Sequence, residues 1–174
     1  PPPNSSWPSP RLCPREIGQE GFREGKVVET AMKSLVAVAA ELSAEVAVFV
    51  APPDFPCNRA NKTVVKDFLA STRKMFKLVV FDPGPLWEAD ETESLLTADQ
   101  VLVVRDPLNQ GTSKKKRAYY RLPGPAGHKS RYEDPAIERL AEIAKAAKHT
   151  EATYVFTNVD MFADAKRFRK AMKL

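Results

Sequence analysis

The chain has 174 residues, 43% hydrophobic and 28% charged, with a formal net charge of +5. That composition is the one expected of a folded domain with a buried core, and it excludes a disordered or membrane chain. No apolar run approaches the roughly 18 residues needed to cross a bilayer, so no membrane-spanning role is expected.

In chain order, Pro1 to Pro14 contains six prolines and reads as part of an irregular arm, 1–25, since proline neither donates to a sheet nor continues a helix. The first residue is not methionine and no basic-then-apolar leader follows, which suggests a processed or truncated start. Val28, Ala31, Leu35, Val38, Ala39 and Leu42 keep a helical apolar stripe, and Glu45 to Ala51 reads as a buried strand stopped by Pro52-Pro53. A second helix has Asn61 as its N-cap and Val64, Val65, Phe68 and Leu69 on one face. A second strand, Lys77 to Asp82, ends at Pro83-Gly84-Pro85. An acidic helix over Trp87 to Thr97 leads to a third strand, Gln100 to Arg105, and Arg117 to Leu122 is a fourth.

Asp134 then caps a helix with Pro135 at its first position and Ile137, Leu140, Ala141, Ala144 and Ala147 inward. Ala152 to Thr157 is the fifth strand. The last helix carries Met161, Ala165, Phe168 and Met172 on one face and Lys166, Arg167, Arg169, Lys170 and Lys173 elsewhere. Apolar strands alternating with amphipathic helices predict a parallel sheet covered by helices, with five strands in sequential order. An open sheet and the larger part of a closed barrel both fit this pattern, because a complete eight-stranded barrel takes about 250 residues.

Charge singles out one stretch. Between Pro107 and Tyr132 there are seven Lys or Arg and no Asp or Glu, while the rest of the chain nets −2. A cationic loop of this kind points to an anionic ligand, or more blandly to a solvated turn at Lys114 to Arg117. Arg121, Lys129 and Arg131 flank glycines whose backbone N–H groups can approach a phosphate or carboxylate. Cys13 and Cys57 have no partner at metal-ligand spacing, which predicts reduced thiols, a cytoplasmic setting and no structural zinc.

Taken in order, AVFVAPPDF, LVVFDPGPLW, VLVVRDP, AYYRLPGPAGHKSRYED and YVFTNVDMFADAKRF resemble the YecE-like family of TIM-barrel proteins, also called domain of unknown function 72. The resemblance covers residues 26–174. It rests most on Arg121, Leu122, Gly124, Arg131 and Tyr132 at the penultimate strand and on Phe156 and Asn158 at the last. It implies a partial β/α barrel domain over 26–174, lacking the first three strands of the complete barrel. Pro123 stands where the family has histidine and Thr157 where it has an asparagine. Asp82-Pro83-Gly84-Pro85-Leu86-Trp87 shortens the family's acid and loses its arginine.

In such barrels the working residues gather at the C-terminal ends of the strands. Those positions hold Asp54, Asp82, Asp106, Arg121, Asn158 and Asp160. Asp82 and Asp106 are the candidate catalytic acids, either as acid and base or, with a third aspartate, around a divalent metal; the alternative is that each caps a turn. Arg121, Lys129, Arg131, Tyr132 and Asn158 are the candidate ligand-binding residues, for a phosphorylated small molecule or a nucleic acid. Tyr132 and Trp87 either stack on such a ligand or belong to the core. No cofactor motif is present, and whether the chain is an enzyme is left open. The other functional class is a non-catalytic barrel fragment acting through protein contacts, with self-association through sheet edges at Glu45 to Ala51 and Ala152 to Thr157.

Overall fold

Alternating β and α segments build the chain as the pattern predicts. The computed structural model describes residues 11, 12 and 14–173. The five main strands are β2 (Val46–Val50), β3 (Leu78–Asp82), β4 (Val101–Arg105), β5 (Arg117–Leu122) and β6 (Glu151–Phe156), each within a residue of its expected bounds. They are parallel and ordered sequentially, an α/β partial barrel. A sixth strand precedes them: β1 (Arg11–Leu12) pairs with Val46 and Ala47 of β2. The arm is therefore not wholly irregular, and the edge of β2 expected to be open is paired at its start. Residues 1–10 of that arm and Cys13 lie outside the described residues.

The chain divides inside β4 into two units, Pro1–Leu102 and Val103–Leu174. In the first unit, α1 (Arg15–Gln19), α2 (Lys26–Glu41), α3 (Arg59–Thr72) and α4 (Ala89–Leu95) accompany β1 to β3. Gly18 of α1 lies so near β2 that an added Cβ would collide with the Val50 carbonyl oxygen. Phe22, Phe49, Phe55, Phe68, Phe81 and Trp87 form the core, with ring centroids 5.0–5.9 Å apart. Trp87 stacks on Phe55 and donates its indole N–H to the Phe55 carbonyl at 3.0 Å, so it is core and not a ligand platform.

Two expectations for these helices shift. Helix α3 is capped by Asn58, whose side chain accepts the Asn61 N–H at 2.9 Å, so Asn61 lies in the first turn instead of at the cap. The α2 stripe is only partly inward: Val28, Leu35 and Ala39 are buried, whereas Val38 and Leu42 are exposed along with Val27 and Val36. Val27, Ala31, Leu35 and Val38 line an open apolar groove of about 720 Å³ beside Pro14 and Glu16.

In the second unit, α5 (Asp134–Ala146) and α6 (Met161–Met172) pack beside β5 and β6. Leu122, Tyr132, Ile137, Leu140, Ala141, Phe156 and Phe168 form its core. Parallel pairing runs from Arg117↔Glu151 to Leu122↔Phe156. Glu133 is the N-cap of α5 and Asp134 its first residue, so the helix begins one position earlier than expected. On α6, Asp164 and Phe168 are buried and Met161 is exposed, because Asp164 is drawn inward by the bonds described below. No helix among the described residues is long and apolar enough to cross a membrane.

Candidate functional site

The second unit holds 16 Lys or Arg against 8 Asp or Glu, a formal +8, whereas the first carries 11 against 14, a formal −3. Cationic character is thus a property of the unit that bears the loop 107–132. Strand alternation decides where its arginine goes. Leu122 is buried in the core against α5 and α6, so Arg121, one residue earlier, projects from the other face of β5 and is exposed.

The loop after β5 is held by a small number of bonds. Gly124 has φ of 100°, a left-handed conformation that favours glycine, and an added Cβ there would lie 2.5 Å from the Gly127 carbonyl oxygen. Its N–H donates to the Tyr132 hydroxyl at 2.8 Å. Ser130 Oγ donates to the Gly127 carbonyl at 2.7 Å and accepts the Ala126 N–H at 2.9 Å. These contacts fold the Gly/Pro segment back on itself and leave His128, Lys129 and Arg131 exposed. Arg131 Nε donates to Asp160 Oδ2 at 2.8 Å, which fixes the guanidinium while its side chain stays 69% exposed.

Beneath the loop lies a network that sequence reasoning missed. Asp164, 2% exposed, accepts from Asn158 Nδ2 at 2.7 Å and from Arg167 at 2.8 Å, with the Tyr132 N–H at 3.4 Å. Arg167 also donates to the Tyr132 carbonyl and to Asp134 Oδ1, the latter at 2.6 Å. Asn158 Nδ2 makes a second bond, 3.1 Å, to the Ser130 carbonyl. Both amide hydrogens are therefore used internally, and what remains is a buried Oδ1 with no partner. The donor role expected of Asn158 toward an anion is accordingly filled by protein acceptors, and Asn158 acts as a support of the loop.

Tyr132 is likewise a support. Burial, the larger cause, pushes its phenol up to about 12; the Gly124 N–H opposes this, and the Asp106 and Asp164 carboxylates add to the rise. A ring at 2% exposure in contact with Phe156 offers no face to a ligand. Arg121, Lys129 and Arg131 are the expected binding residues that stay at the surface. A second unforeseen group is His149, whose Nε2 lies 2.7 Å from the Tyr120 hydroxyl and whose Nδ1 lies 2.9 Å from the Lys115 carbonyl. With Nδ1 donating to that carbonyl, Nε2 accepts from tyrosine, and the Tyr120 hydroxyl in turn accepts the Ser113 N–H at 3.1 Å. The histidine thus tethers the lysine run to the sheet.

The two candidate catalytic aspartates form turns. Asp106 accepts from the Leu108 N–H at 3.0 Å and from Asn109 Nδ2 at 2.7 Å, so both carboxylate oxygens are engaged. Asp82 is half-buried at the end of β3, with the Gly84 N–H 3.4 Å from Oδ1. Among the described residues no three His, Cys, Asp or Glu side chains are grouped to hold a metal ion. In the first unit, a polar cleft of about 500 Å³ opens beyond β2, lined by Gly18, Gly21, Arg23, Asp54, Asn58 and Asn61 among others. Arg23 donates to the buried Asn61 Oδ1 at 2.9 Å there, a pairing across 38 residues that no local pattern discloses.

No family model matches the chain, nor does any curated protein. Solved structures do. A DUF72 family protein from Thermotoga maritima superposes with a TM-score of 0.66 at 16% identity, covering 94% of this chain and 73% of that one. A DUF72 family protein from Enterococcus faecalis gives 0.62 at 14% identity, over 87% and 67% respectively. At these identities the likeness establishes the fold, in agreement with the resemblance read from the strand-end motifs.

Proposed function

We propose that the chain is a barrel domain that binds a phosphate-bearing ligand, nucleic acid in particular, through the loops that follow β5 and β6. One observation carries this reading: a formal +8 in a unit whose 107–132 segment has seven cations and no acid. Exposed Arg121, Lys129 and Arg131 are the contacts. Arginine offers a planar fork matched to phosphate, and the Asp160 bridge leaves most of the Arg131 side chain exposed. Asp82 and Asp106 are given structural roles, so binding and not hydrolysis is the activity proposed.

The test is fluorescence anisotropy with a labelled oligonucleotide across a salt series. Binding should weaken steeply between about 50 and about 200 mM salt, as expected when cations displace condensed counterions. Arg121→Ala should weaken it more than Lys115→Ala. Equal losses would mean diffuse attraction without a site, and no binding at low salt would end the proposal.

A second reading has its own support. The open apolar groove on α1 and α2, with Val27 and Val38 exposed, favours a protein-contact role or self-association of the first unit. Sedimentation of the isolated chain as a monomer at all concentrations would remove self-association.

A further inference from the structure

The outer side of α6 joins an exposed aromatic ring to a row of cations. Phe162 is 79% exposed, and Val159 and Met161 beside it are 60% and 41% exposed. Among the described residues these are the exposed large apolar side chains of the second unit, and they stand next to Asp160, which holds Arg131. Phe162, Lys166 and Arg169 follow at i, i+4 and i+7, so they share one stripe of the helix, and Lys173 is the left-handed C-cap just beyond it. All four are exposed, and no acid lies on the stripe. Arg167 is tied to Asp134, Asp164 and the Tyr132 carbonyl, whereas Lys166, Arg169 and Lys173 have no ion-pair partner among the described residues.

Burying Phe162 against its own unit is not possible at this position, because the inward face of α6 is occupied by Asp164 and Phe168. A phenyl ring held in water at the head of a cationic row costs free energy unless a partner covers it. An apolar partner alone would leave two cations to desolvate. A membrane surface would require a broad apolar face on the helix, and that face is already turned into the core. A ligand with flat apolar rings strung on a polyanionic backbone satisfies both parts of the stripe at once.

We infer that α6 presents a stacking platform for single-stranded nucleic acid, in which Phe162 takes an unpaired base and Lys166 and Arg169 follow the phosphates. This rests on the nucleic-acid reading above and narrows it: a duplex keeps its bases stacked within itself and can use only the cations. Arg131, fixed by Asp160 beside the ring, links the stripe to the cationic loop.

Anisotropy titrations with labelled oligo(dT), and with a fully paired hairpin of matched phosphate count, separate the two proposals. Phe162→Ala should weaken oligo(dT) binding by about 5- to 100-fold, the range for loss of one stacked base, and leave the hairpin unchanged. Phe162→Trp should restore it. Lys166→Ala with Arg169→Ala should weaken both ligands and flatten the salt dependence. If neither ligand binds the wild-type chain, the nucleic-acid reading itself fails. If both bind and Phe162→Ala changes neither, only the platform is overturned. It is equally overturned if the variant instead abolishes self-association or binding to anionic vesicles while oligo(dT) affinity stands. Thermal melting of the Phe162 variants should match wild type, since the ring has no core contact to lose.

Discussion

Asn158 Nδ2 lies 2.7 Å from Asp164 Oδ2, and this bond fixes the direction of a buried amide at the end of β6. Two acceptors, the carboxylate and the Ser130 carbonyl, both demand the nitrogen, so the oxygen is the end left over. A charge buried in this way is tolerable only because Arg167 neutralises it, and the pair joins β6, α6 and the loop before α5.

Asp164→Ala should therefore destabilise the second unit by about 1–3 kcal/mol, since Arg167 and the Asn158 amide each lose one acceptor while keeping the Tyr132 and Asp134 oxygens and the Ser130 carbonyl respectively. Urea unfolding followed by circular dichroism measures this. A loss below about 0.5 kcal/mol would mean that the network contributes no more than a surface pair.

Gly124→Ala should cost about 1–3 kcal/mol and loosen the loop 124–131, because the left-handed backbone and the Gly127 carbonyl both oppose a Cβ. Hydrogen exchange should quicken at Gly124 and Ala126, whose N–H groups are bonded to Tyr132 and Ser130. Unchanged protection would show that the loop accommodates the methyl.

Alkaline titration should expose the tyrosine burial. Burial pushes the Tyr132 phenol up to about 12, against an ordinary value of 10.0 in the unfolded chain, and the same holds for Tyr154 through burial and the neighbouring Tyr120. Between these pH values the unfolded state gives up the proton and the folded state keeps it. The associated stability is complete below about pH 10 and is lost as pH rises to about 12, worth about 2–3 kcal/mol for Tyr132. Unfolding free energy should fall across that window, and less so in Tyr132→Phe; a fall of equal size in that variant would assign the effect elsewhere.

Trp87→Ala should cost about 3–5 kcal/mol in the first unit, in keeping with removal of a buried indole that also donates a hydrogen bond. Trp87→Phe should recover part of that. In a Trp7→Phe background, intrinsic fluorescence should report Trp87 as a buried indole, and a fully water-exposed emission would contradict its stacking on Phe55.

Strand positions were legible because they rest on local signals: runs such as Val46 to Val50 and Leu78 to Asp82 are apolar and end at Pro/Gly turns. Helix caps moved by one to three residues, since Asn58 and Asn61 both suit a cap and only the Asn61 N–H bond separates them. The core of the site was not legible. Asp164 and Arg167, three apart in a polar run, read as an ordinary surface pair, and the burial of Asp164 depends on Tyr132 and Asn158 arriving from other segments. His149 and Arg23 were hidden for the same reason: their partners, Lys115 and Asn61, lie 34 and 38 residues away. The periodic stripe Met161, Ala165, Phe168 and Met172 left Phe162 off the inward face, but a single phenylalanine off a stripe does not by itself mark an exposed ring.

The contact between Gly18 and the Val50 carbonyl bears on how this chain can be varied. The atom opposing a Cβ belongs to the backbone of a central strand, which has no rotamer to change and cannot retreat without disturbing the pairing to Asp82. In a randomised library selected for folded protein, position 18 should return glycine almost alone, while Gly25, with open space around it and an extended backbone, should accept other residues. The same contact makes Gly18 a poor place for a label, a crosslinker or a loop insertion, despite its place in a five-residue helix near the start of the fold.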